Sequence, residues 1–107
     1  MLNPVQTVQE FYRRINDHEF DGAAELWTAD MKRRYPTDEN IRQRFAQTRS
    51  IRVEQARLLG SSTSGGQATV AVELLEVRGS PQVSQRLSGT WTLLRGPSGW
   101  LLDQPAF

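Results

Sequence analysis

The chain has 107 residues, room for one compact domain. With 37% hydrophobic and 23% charged residues it is too apolar for a disordered chain and too polar for a membrane-spanning one. Thirteen Lys and Arg against twelve Asp and Glu leave a formal charge of +1, too small a field to draw nucleic acid or acidic lipid, and zero cysteines exclude disulfides, thiolate catalysis and sulfur-ligated zinc.

Residues 3–17 read as a helix. Asn3 is an N-cap, Pro4 suits the first helical position, and Gln6 sits where a capping box needs it. Val5, Val8, Phe11, Tyr12 and Ile15 recur at the spacing of one buried helical face. After a short turn at 16–20, a second helix is expected over 21–29, capped by Asp21 and carrying Ala23, Ala24, Leu26 and Trp27. Residues 30–36 are the least regular of this half, and Tyr35, preceding Pro36, is pushed toward an extended conformation. A third helix is expected from Thr37 to about residue 48, with Ile41, Phe45 and Ala46 on one face.

From Ser50 onward the hydrophobic period changes from 3.6 to 2, the mark of strands. Ile51 and Val53 begin the first strand, which ends at a turn over 60–66. Ala68, Val70, Val72 and Leu74 form one face of the second. Leu75 and Val77 fall in the opposite phase, which predicts a β-bulge near Leu74–Leu75. The third strand carries Val83, Gln85, Leu87, Gly89, Trp91 and Leu93 on one face and Ser84, Arg86, Ser88, Thr90 and Thr92 on the other. After the turn at 96–99, residues 100–103 form a short fourth strand. Short turns make these strands antiparallel neighbours, so three helices followed by a four-stranded meander predict a single α+β domain over 1–107.

The order of elements, with Pro4-Val5, Phe11-Tyr12, Ile15-Asn16, Phe20-Asp21-Gly22-Ala23-Ala24 and Leu26-Trp27 at one end, resembles the NTF2-like superfamily of SnoaL-like cyclases and ketosteroid isomerases. Gly89-Thr90-Trp91-Thr92-Leu93-Leu94-Arg95 and Gly99-Trp100-Leu101-Leu102-Asp103 carry the resemblance at the other end. It implies a cystatin-like cone, three N-terminal helices packed on a curved four-stranded antiparallel sheet, with a pocket at the open end. It also implies a homodimer through the outer sheet face. Within the superfamily the opening is most similar to accessory domains of bacterial lipoproteins and membrane-anchored kinases. Twelve of the thirteen basic residues are Arg, a bias compatible with a GC-rich bacterial genome. The favoured location is therefore extracytoplasmic, as an excised part of a larger protein, with a cytoplasmic one the alternative. Met1 and Leu2 lead directly into Asn3-Pro4 without the pattern of a signal peptide.

In the isomerase-like members the base is a carboxylate just before a proline after the second helix, helped by an oxyanion hole of a tyrosine and a protonated acid. The matching position here holds Tyr35, and a neutral phenol is a poor base near pH 7. That leaves Asp30 and Asp103 as candidate acids. Each also has an ordinary reading, Asp30 as a solvated or capping acid and Asp103 as the partner of an Arg on a neighbouring strand. Tyr12, Trp27, Tyr35, Trp91 and Asp103 are the candidate ligand contacts. His18, flanked by Asp17 and Glu19, reads as a solvated corner, and a lone His cannot assemble a metal site. No metal or cofactor is expected. Residues 32–49 hold six basic side chains against Asp38 and Glu39, a solvated face or a contact for an anionic partner. The glycine-rich turns lack the features of a phosphate loop.

Two functions are expected from these residues. The first is a non-catalytic module binding a small apolar ligand or a protein partner, with neither nucleic acid nor direct membrane insertion. The alternative is a SnoaL- or isomerase-like enzyme using Asp30, Asp103 and Tyr12 in acid–base chemistry on a small apolar substrate.

Overall fold

The computed structural model describes residues 1–62 and 64–107. Helix α1 spans Pro4–Asn16. Its start is the expected capping box, with the Asn3 side chain accepting from the Gln6 N–H at 2.8 Å and the Gln6 side chain accepting from the Asn3 N–H at 3.0 Å. Thr7, Val8, Phe11, Tyr12 and Ile15 form its buried face.

The rest of the helical half differs from expectation in its boundaries. Helix α2 is only Phe20–Ala24, and Asp21 lies in its first turn rather than at its cap. The chain leaves the helix early because β4 captures its backbone: the Leu102 N–H donates to the Leu26 carbonyl at 2.7 Å, and the Thr28 N–H donates to the Leu102 carbonyl at 2.9 Å. Those bonds require an extended backbone around Trp27, which pairs with Leu102 as an isolated parallel bridge. The stretch expected to be irregular is instead helix α3, Ala29–Arg34. Thr28 caps it by accepting from the Met31 N–H at 3.0 Å, and Asp30 in its first turn pairs with Arg33 and Arg34. Pro36 stops it, and Tyr35 is extended. In place of the third expected helix stands a π-helical segment, Asp38–Gln43, which Thr37 does not cap through its side chain.

Four strands follow, β1 Thr48–Ser61, β2 Gln67–Arg78, β3 Val83–Gly96 and β4 Gly99–Ala106, in one open antiparallel sheet of order β1-β2-β3-β4. The first turn opens after Ser61, later than expected, and Thr63 within it lies outside the described residues. The irregularity predicted in β2 lies elsewhere. β2 and β3 pair without a break in register, whereas β1 shifts against β2 three times. The shifts leave Arg49, Glu54 and Leu59 without a partner on β2, five residues apart. Bulges of this kind bend and twist a strand, and β1 packs along α1. A further shift between Thr92 and Leu93 leaves Asp103 as the extra residue of β4.

Alternation in β2 is unbroken: Ala68, Val70, Val72, Leu74 and Glu76 are all buried, and Leu75 and Val77 belong to the outer face. The inner sheet face meets α1, and Val8, Phe11, Ile15, Val70, Val72, Leu93 and Leu102 make the centre of the core.

Candidate ligand-binding site

A cavity of about 340 Å³ opens between the helical layer and the inner sheet face. Helix α1 contributes Phe11 and Tyr12, and the capture of residues 26–28 by β4 places Trp27 beside them, with Met31 following on α3. Phe45, Ile51, Leu74 and Trp91 complete the buried wall. Half-buried Tyr35, Asn40, Arg44, Leu87 and Pro105, with exposed Phe107, form the rim. This wall is dominated by aromatic and aliphatic groups, as small-molecule pockets are.

Phe11 is the hub of the aromatic set. Its ring meets Tyr12 edge-on at 4.9 Å, stacks on Trp27 at 6.0 Å and meets Trp91 edge-on at 5.9 Å. Phe107 lies edge-on to Trp91 at 6.1 Å, in space left by Gly89, whose place would put any Cβ 2.5 Å from the Phe107 ring.

Four polar groups are built into this apolar wall. The Trp91 indole N–H donates to the Tyr12 hydroxyl at 3.0 Å. Burial pushes the Tyr12 phenol well above its usual range, so it stays protonated at neutral pH, and its own O–H donates to no group among the described residues. The buried Trp27 indole N–H has no partner among the described residues. Arg44 lies over the Phe45 ring, 4.5 Å from its centroid, and reaches back into the sheet.

There it meets Glu76, whose side chain is 0% exposed. Arg44 donates to both carboxylate oxygens, Nη1 to Oε2 at 2.9 Å and Nη2 to Oε1 at 2.7 Å. Thr48 donates to Oε2, Gln85 donates to Oε1 at 3.3 Å, and Arg78 stands 3.7 Å away. Burial alone would raise the Glu76 pKa, but the Arg44 and Thr48 hydrogen bonds outweigh it and hold the carboxyl below its ordinary value. Glu76 is thus an ionised group with its oxygens committed to neighbours.

Of the residues singled out in the sequence, Tyr12, Trp27, Tyr35 and Trp91 come together on this cavity. The two candidate acids do not. Asp30 is spent on Arg33 and Arg34 on the exposed face of α3. Asp103, turned aside by the bulge in β4, accepts from the Thr28 hydroxyl at 2.7 Å and lies 3.5 Å from Arg34, which belongs to a helix and not to a neighbouring strand. It joins α3 to β4 outside the cavity wall. His18 holds the Thr48 carbonyl at 2.8 Å, also away from the cavity. The basic stretch is divided: Arg44 lines the cavity, while Arg33 and Arg34 pair with Asp30 and Arg42 with Asp21.

Arg44 and Glu76 were not singled out. A signal existed for Glu76, since carrying the phase of Ala68, Val70, Val72 and Leu74 two residues further puts it inside. The apolar Leu75 and Val77 in the opposite phase, which predict a bulge at Leu74–Leu75, mask that continuation.

Neither a family model nor a curated protein matches the sequence. Solved structures do match in shape. A SEC-C motif protein from Rhodopseudomonas palustris superposes with a TM-score of 0.73 at 20% identity, over 95% of this chain and 76% of that one. An NTF2-like protein with a cystatin-like fold from Novosphingobium aromaticivorans gives 0.64 at 15% identity, over 92% and 73%. The fold is NTF2-like. The intermembrane-space region of the chloroplast protein ARC6 shares the architecture more loosely, with a TM-score of 0.56 at 15% identity over 95% of this chain and 88% of that region. Such identities speak to the fold alone, and one fold hosts many functions.

Proposed function

We propose that the chain is a non-catalytic binding or accessory module whose cavity holds a small apolar ligand, working within a larger bacterial membrane-anchored or secreted protein. The carrying observation is the cavity itself: about 340 Å³, walled by Phe11, Trp27, Met31, Phe45 and Trp91, with no Asp or Glu side chain on its lining among the described residues. That volume lies within the ~300–1,000 Å³ of small-molecule pockets. Proton-transfer chemistry needs a group within reach of the substrate that can take up a proton. Asp30 and Asp103 are engaged elsewhere, and the buried Tyr12 phenol holds its proton. A homodimer through the outer sheet face, where Thr90, Thr92 and Leu94 lie, belongs to the same reading. Light scattering that finds only a 12.2 kDa species refutes that part.

The test uses N-phenyl-1-naphthylamine, an uncharged apolar fluorophore. Binding in the cavity brings it beside Trp27 and Trp91, so excitation of tryptophan is transferred to the fluorophore. Leu87→Arg, at the half-buried rim, is expected to weaken binding at least tenfold without unfolding the chain. No binding, or equal binding by that variant, refutes the site. Turnover of a ketone or epoxide that is abolished by Asp103→Asn or Asp30→Asn establishes the SnoaL- or isomerase-like alternative instead.

A further inference from the structure

We propose that the ligand is an apolar carboxylate, its body among the aromatic rings and its anionic head at the Arg44 side of the rim. This rests on reading the cavity as a ligand site and goes on to the chemistry of what fills it.

The first observation is the sign of the wall. Arg44 has the one charged side chain lining the cavity among the described residues. Behind it, two guanidinium groups, Arg44 and Arg78, lie within 4.0 Å of a single carboxylate, Glu76, so the cluster keeps one positive charge in excess. An exposed excess charge is screened by water, but Arg44 is half-buried against Phe45 and borders an apolar volume.

The second is unused donor capacity. A guanidinium has five N–H groups in a fixed fork. Arg44 spends one from each Nη on Glu76, which orients the group and leaves its other N–H groups free of any partner among the described residues. Tyr12 lines the same cavity as Arg44, and its hydroxyl, which accepts from Trp91, donates to no group among the described residues. Asn40, on the same rim, has its amide N–H₂ on the Pro36 carbonyl at 2.9 Å.

Together these groups ask for an acceptor, and they carry a surplus of positive charge. A protonated amine brings only donors and a second positive charge, and an alcohol can accept but leaves the charge unanswered. A ketone or ester satisfies the donors but not the charge. A carboxylate satisfies both, and its planar pair of oxygens suits a guanidinium held in place by a second carboxylate. Glu76 is then a positioning residue that aims Arg44 from behind, buried where a ligand does not touch it.

The experiment compares two competitors of one shape, 1-naphthoate and 1-naphthalenemethanol, for their ability to displace N-phenyl-1-naphthylamine at pH 7. The carboxylate is expected to displace it at a concentration on the order of tenfold lower than the alcohol, the gain of a charge-assisted hydrogen bond over a neutral one. Added salt is expected to weaken the carboxylate and leave the alcohol unchanged. Arg44→Gln paired with Glu76→Gln keeps a hydrogen-bonded neutral pair and is expected to erase the preference, read as the ratio of the two competitors' displacement concentrations so that any change in the fluorophore's own affinity cancels. Should that pair fail to fold, Tyr12→Phe is expected to narrow the preference severalfold. Equal displacement by the two competitors, with the fluorophore still bound to the native chain, overturns the carboxylate and leaves the cavity standing. Failure of the fluorophore to bind at all overturns both.

Discussion

Arg44→Met removes the main partner of a carboxylate with no exposure to solvent. Glu76 loses two charge-assisted hydrogen bonds, of 2.9 and 2.7 Å, and keeps Thr48, Gln85 and the more distant Arg78. Breaking a buried pair from one side costs about 3–5 kcal/mol, because the remaining charge stays buried without its counterion. Arg44 is itself 34% exposed and Arg78 survives, which places the cost at the lower end, about 3 kcal/mol. For a chain of this size that is a fall in melting temperature of roughly 10–20 °C, or about 1–3 M in the urea midpoint. Urea titrations followed by tryptophan fluorescence and circular dichroism measure it.

The pH dependence supplies a second reading. In the native chain the folded Glu76 pKa lies below its ordinary 4.5, so the stability it contributes is fully present above that value and is lost as the pH falls through the folded pKa. In Arg44→Met burial prevails and the folded pKa rises, so the variant's deficit is greatest near neutral pH and shrinks on acidification. Arg44→Met combined with Glu76→Leu removes the stranded charge and is expected to regain most of the loss. A deficit under about 1 kcal/mol at pH 7, or a double variant weaker than the single one, refutes the reading of Arg44 as the main counterion of a buried, ionised Glu76.

Gly89→Ala sets a Cβ 2.5 Å from the Phe107 ring and 2.7 Å from the Ala106 carbonyl. Because backbone as well as ring must move, it is expected to cost about 1–3 kcal/mol by thermal unfolding and to speed fluorophore release in stopped-flow measurements. Asp103→Ala removes the acceptor of the Thr28 hydroxyl and is expected to cost about 1–2 kcal/mol in urea while leaving fluorophore affinity unchanged. Trp27→Phe deletes a buried N–H that has no partner among the described residues. Relief of that unmet donor is expected to offset the lost ring area, leaving the unfolding free energy from urea titration within about 1 kcal/mol of the native chain.

The parts of the fold governed by local rules were legible. The capping box of α1 needs only Asn3 and Gln6, and the period-2 runs of β2 and β3 name their inner faces. Helix boundaries between 20 and 29 were not, because β4 sets them: its backbone bonds to Leu26 and Thr28 end one helix and leave the Thr28 hydroxyl to start the next. No pattern within 20–45 announces a partner 75 residues away. The aromatic half of the site was visible as large side chains on core-facing positions. Its charged half was hidden, since Arg44 looked like one member of a basic run and Glu76 like an interruption in an apolar strand. Buried charges are rare enough that pattern reading discounts them, and only the tertiary pairing removes the objection.

The free side of β1 is an edge of 14 residues. A flat edge of that length would let a foreign chain zip onto it and seed fibres. Departures from regular pairing at Arg49, Glu54 and Leu59 chop it into runs of four residues, with an arginine and a glutamate at two of the breaks. The coiling that draws the sheet around its helix thereby also denies an intruding strand any long straight stretch to grip.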